Sequence, residues 1–233
     1  LSAASDSHVA GGAYSEADYW SKVGIVDGTP VARGSVPFPG TTSWDDQPDN
    51  QITRNAKNWF SRWSASGLTG VWAEENTREA IFDAFKRKET FATTGPRMRV
   101  RFFGGFGYDD GIMDSADLAH RAYEGGVPMG GDLVGTGEAP SFIVWAQRDP
   151  NGGTLQRVQV VKVTSDGEEV IDVACDNGTP DPSTKRCTDN GSSVDMTTCT
   201  PVNSGASELK TLWKDPDFDA SRRVTYYVRV LEN

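Results

Sequence analysis

From Arg97 the chain alternates apolar and polar residues: Met98, Val100 and Phe102 are interleaved with Arg97, Arg99 and Arg101. This period of two predicts a strand with one buried face. The same signal recurs at residues 118–123, 142–146, 155–163, 169–174 and 224–231. Turn formers separate these stretches, among them Asp149-Pro150-Asn151-Gly152-Gly153 and Ser165-Asp166-Gly167. Several strands at this spacing, with no long helix between them, predict an antiparallel β-sandwich.

Before residue 97 the pattern is different. Residues 75–88 read as a helix: Ala80, Ile81, Ala84 and Phe85 share one face, and Lys86, Arg87 and Lys88 crowd the last turn, where the helix dipole favours cations. Asn76 is the expected N-cap, with Glu79 three residues on as in a capping box. Residues 90–94 then read as a short strand, broken by Gly95-Pro96. Further upstream, residues 55–64 suit a short helix burying Trp59, Phe60 and Trp63, while residues 30–49 hold four prolines and no period, the mark of a long loop. The expected fold class is α+β, with an α/β piece over residues 1–96 and a β-sandwich over 97–233.

Composition narrows the function classes. A formal charge of −10 over 233 residues lacks the basic face that nucleic-acid binding needs. No apolar run is long enough for a membrane span. Leu1 to His8 has neither the basic start nor the apolar stretch of a signal peptide and no initiator methionine, so the N-terminus is expected to be a cut one. Cys175, Cys187 and Cys199 all fall in one polar, turn-rich segment, which suits a stapled loop in an oxidising compartment, periplasmic or secreted. Zinc is the competing use, but no histidine and no C-x-x-C spacing accompanies them.

Candidate chemistry begins at Ser5-Asp6-Ser7-His8. In an extended segment residues i and i+2 point the same way, so the Asp6 carboxylate and the His8 imidazole can face one metal ion. The plainer reading is a solvated pair with no role. His120, the second histidine, stands alone in a strand-like pattern and is not assigned. Glu74 or Arg78 can line a site at the entrance of the helix, although dipole complementation accounts for the acidic residues there. Thr93 to Arg97 can offer hydroxyls and the Arg97 guanidinium to an anionic substrate, or can simply be a turn. Asp176-Asn177-Gly178 and Asp189-Asn190-Gly191 suggest calcium less than they suggest turns. Asn177 and Asn190 also head N-x-S/T triplets, a frequent chance pattern.

Four longer stretches carry a resemblance: SGLTGVWAEENTREAIFDAFKRKETFATTGPRMRVRFFGG, GVPMGGDL, FIVWAQRDPNGG and LWKDPDFDASRRVTYYVRVLEN. With them the chain resembles, over nearly its whole length, the C-terminal part of the bacterial family called domain of unknown function 3604. Members are similar to PHP-type metal-dependent phosphoesterases, whose distorted βα barrel gathers His, Asp and Glu ligands from several strand ends. The resemblance implies that residues 1–96 are the terminal βα part of such a barrel, incomplete here. It implies that Asp6 and His8 are metal ligands, with the earlier His-rich motifs upstream of Leu1, so that this chain alone is expected to be inactive. Related chains also continue past Asn233 into a further cysteine-containing segment, which would account for the odd cysteine. Cys175 with Cys187 closes a short loop and is the first choice of pairing, leaving Cys199 over.

Two functions are therefore expected. The first is a metal-dependent, phosphoesterase-like hydrolase in the full-length protein, using a divalent ion (zinc, manganese or iron), with Arg78 and Arg97 as contacts for a small anionic substrate. The alternative is a non-catalytic β-sandwich module that recognises a glycan or protein, with Trp145 and Trp213 as possible platforms.

Overall fold

The computed structural model describes residues 1–4, 67–135, 137–198, 200–202 and 205–233. The chain divides into two units, one of residues 1–70 with 91–96, the other of residues 71–90 with 97–233. Asp6, His8, the expected 55–64 helix, the proline-rich stretch and Cys199 lie outside the described residues.

Most of β1 (Leu68–Val71) and β2 (Thr90–Thr93), which pair in a two-stranded sheet, belongs to the first unit. Thr69 fastens the start of the chain to the sheet: its Oγ1 accepts from Ala3 N at 3.0 Å and donates to Ala3 O at 2.7 Å. After β2 the Thr93 hydroxyl accepts from Gly95 N, and Gly95 takes φ 127°, a backbone angle that disfavours any residue with a Cβ.

The second unit opens with α1 (Arg78–Lys86). Its N-cap is Thr77, one residue later than expected: Thr77 is extended and its side chain accepts from Ala80 N, whereas Asn76 lies one position too early to reach that N–H. The helix ends in a Schellman arrangement, with Glu89 N donating to Ala84 O and Lys88 N to Phe85 O. Lys88 takes the left-handed conformation that this turn requires, at φ 61°. Of the expected apolar face, Ala84 is buried while Phe85 is half exposed.

The strands that follow form two antiparallel sheets. One has the order β10 (Glu208–Lys214), β5 (Ser141–Gln147), β3 (Arg99–Gly105), β4 (Gly126–Pro128). The other runs β11 (Thr225–Glu232), β6 (Leu155–Thr164), β7 (Gly167–Cys175). Their facing residues share one core, in which Phe102, Phe142 and Val144 of the first sheet meet Val158, Val160 and Ile171 of the second. Phe142 sits at its centre, 4.4 Å between ring centroids from Tyr226 and stacked on Phe102 and Trp213. Each such side chain removed from water contributes about 1.5–3 kcal/mol. The expected turns are also present: Asp149 Oδ1 accepts from Asn151 N, and Gly167 at φ 138° closes the β6 to β7 hairpin.

One expected strand is a helix. Residues 118–123 lie in α2 (Leu118–Gly125). Leu118 and Ala122, four apart, are both buried, and that spacing is one helical turn. With the short 3-10 helix Asp110–Asp114, α2 covers part of the outer face of the four-stranded sheet, packing Leu118, Ala122 and Ile112 against Phe103 and Ile143. The second unit is thus layered: helices, sheet, sheet. A small outlying hairpin, β8 (Ser193–Asp195) with β9 (Thr200–Val202), follows the cysteine loop.

Candidate functional site

One gathering of polar and aromatic side chains in the second unit lies beside α2. The sharp turn after α1 carries Glu89 inward, where it is 3% exposed. Gly130 makes room for that turn, because a Cβ there would meet Lys88 O at 2.2 Å. Glu89 accepts a short hydrogen bond from the Tyr123 hydroxyl of α2 and a longer one, 3.5 Å, from Arg87. Burial pushes the Tyr123 phenol above its ordinary value, and the bonded Glu89 carboxylate adds to that, with Arg101 pulling it back.

Arg101, on β3, donates to the same hydroxyl at 3.4 Å. Its guanidinium lies over the Trp72 ring, 3.6 Å from the centroid. The indole is itself fixed, since Nε1 donates to Val100 O at 2.8 Å. Stacking on a held indole orients a guanidinium and contributes about 0.5–2 kcal/mol. Four segments thus converge on one oriented cation and one buried carboxylate joined through a phenol. Chemically this can hold an anion at the guanidinium.

The described residues singled out from sequence lie on different segments. Arg78 is exposed in the first turn of α1. Arg97 is exposed just ahead of β3, with its backbone N–H donating to the buried Asp149 carboxylate at 2.7 Å. His120 is exposed on α2, 3.4 Å from Glu124 one turn on. Among the described residues no three His, Cys, Asp or Glu side chains gather as a metal-ligand set. Asp189 accepts from Gly191 N, the turn role expected of it. Asn190 gives its amide to Asp176 and Asn233.

Both tryptophans offered as platforms are half buried. Trp213 packs in the core against Phe142 and Tyr226. Trp145 is half buried beside Ile143 and Leu212, with Nε1 donating to Glu208 at 2.6 Å.

Cys175 and Cys187 are joined by a disulfide, Cα atoms 5.7 Å apart. The loop it closes is held to β7 by Asp172, which accepts from Cys187 N at 2.7 Å. Sequence reading passed over Trp72, Glu89, Arg101 and Tyr123. The available signal was a glutamate directly after a helix-ending Lys-Arg-Lys run, and an outward arginine in a strand whose neighbours the pattern did not identify.

A family model described as protein of unknown function (DUF3604) matches residues 1–233. No curated protein and no solved structure matches the chain at a significant level.

Proposed function

The chain belongs to the DUF3604 family, and from that premise we propose that the intact protein is a metal-dependent hydrolase, phosphoesterase-like, with Asp6 and His8 among its metal ligands. The observation that carries this reading is the Ser5-Asp6-Ser7-His8 motif. A carboxylate and an imidazole two residues apart suit zinc, manganese or iron. A catalytic centre of this kind takes about three protein ligands, so the set is completed by residues of a longer chain, within a PHP-like barrel to which residues 1–96 contribute.

A divalent ion bound there would supply a low-pKa water and Lewis acidity toward an ester oxygen. The rest falls to the chain itself. Asp6 and His8 would hold the ion through a carboxylate oxygen and an imidazole nitrogen. Arg78 and Arg97 offer planar forks to a small anionic substrate. Residues 97–233 form an appended domain. The Cys175–Cys187 disulfide supports a periplasmic or secreted location, because such bonds persist in oxidising compartments.

Elemental analysis tests this directly in a chain extended upstream of Leu1. Stoichiometric metal is expected in the extended protein, with a loss of at least about tenfold in affinity for Asp6→Ala and for His8→Ala. An extended, folded protein that retains no metal, or both variants binding it unchanged, would sink the hydrolase reading.

A further inference from the structure

We propose that the end of the outer face of the four-stranded sheet that α2 and the 3-10 helix leave open among the described residues binds a carboxylate-bearing saccharide, with Arg101 taking the carboxylate. This is independent of the hydrolase reading. Strand register lays out the surface. Phe103, Ile143 and Leu212 are cross-strand neighbours at the end that α2 and the 3-10 helix cover. The next row along the same face is Arg101, Trp145 and Lys210, and the row beyond it Arg99, Gln147 and Glu208. Arg99, Glu208 and Lys210 are exposed.

Arg101 is prepared for a planar anion. Trp72 fixes the plane of its guanidinium, and Tyr123 takes one Nη1 contact at 3.4 Å. Among the described residues no carboxylate pairs with it: Glu89 is occupied by Tyr123 and Arg87, and Glu208 by Trp145 and Gln147. The remaining N–H groups form a fork whose geometry matches a carboxylate. In a chain of net charge −10, an oriented arginine without a carboxylate partner is a specific feature.

The surroundings choose the ligand. Glu89, joined to the arginine through the Tyr123 hydroxyl, disfavours a phosphate dianion and leaves a singly charged carboxylate as the better fit. The Gln147 carbonyl, the second Glu208 oxygen and the Lys210 ammonium protons not given to Met113 O can accept from or donate to sugar hydroxyls. A sugar acid combines both requirements.

The test is a titration of the nitrogen-15-labelled protein with glucuronate, glucose and inorganic phosphate as probes, following the indole N–H signals of Trp72 and Trp145. Saturable shifts with glucuronate are expected, with at least about tenfold weaker responses to glucose and phosphate. Arg101→Lys keeps the charge but loses the fork and the stacking, and should weaken glucuronate binding about tenfold. Arg99→Gln, at an exposed position, is the second variant should Arg101→Lys fail to fold, and should weaken it about threefold. Equal responses to glucuronate and glucose, phosphate binding as tight as glucuronate, no saturable shift, or unchanged affinity in the folded variants would each overturn the proposal.

Discussion

Asp172 is the clearest residue-scale determinant of stability. Its carboxylate is fully buried and accepts from Cys187 N and Gln159 at 2.7 Å, from Arg157 at 3.0 Å and from Arg186 at 3.3 Å. Burial alone would raise its pKa, but the donors together outweigh that and hold it below the ordinary 3.8. A depressed folded pKa means that the stabilisation is complete above the unfolded value, about 4, and is lost as pH falls through the folded one. Asp172→Asn should therefore flatten the acid limb of the stability profile below about pH 4 and cost about 2–3 kcal/mol at neutral pH. Urea melts at a series of pH values check both. An acid limb as steep as the parent's would show that other carboxylates carry it. None of this was legible in the sequence, where Asp172 is one acidic residue in a strand. Its partners come from a neighbouring strand and from the loop that the disulfide closes. The cluster of Trp72, Glu89, Arg101 and Tyr123 was hidden for the same reason, since tertiary packing and not local spacing brings its members together.

Among elements, the sequence was readable where one face is buried and the other is wet. The alternation of residues 98–102 is the β3 strand and its lead-in, and the patterns at 142–146, 155–163 and 169–174 lie within β5, β6 and β7. It misled at α2, because Leu118, His120 and Ala122 alternate as well as a strand does over so short a stretch. It was silent on β10, where Glu-Leu-Lys-Thr-Leu-Trp-Lys supports a strand or a helix equally. The cysteine loop yields a prediction at this scale. Peptide mapping without reductant should recover Cys175 linked to Cys187, and a Cys175–Cys199 link would refute the pairing. Reduction frees a short loop, so thermal or urea melts with reductant should show a loss of about 2–4 kcal/mol. Asp172 and the Asp181 turn limit the local damage. The Asp181 carboxyl is held down at about 2, first by the Ser183 hydroxyl and then by the Thr184 and Ser183 N–H groups.

For the folded second unit, the deciding quantity is the core shared by its two sheets. Phe142→Ala removes the ring that touches Phe102, Trp213 and Tyr226, and should cost about 3–5 kcal/mol in chemical denaturation. Phe82→Ala, at a position 60% exposed on α1, should change stability by less than about 0.5 kcal/mol. If both cost the same, Phe82 is covered in solution by something the described residues do not include.

The order in which the strands occur has a consequence for synthesis. β10 and β11 follow one another along the chain, yet each borders a different sheet, against β5 in one and β6 in the other. Until residues 208–232 emerge from the ribosome, β5 and β6 are therefore open borders, with backbone donors and acceptors facing outward and valines such as Val158 and Val160 short of their cover. A nascent chain paused before residue 208 carries two unfinished sheets able to pair with another nascent chain. The pace of translation across one stretch of 25 codons thus bears on how much of the protein reaches its native state.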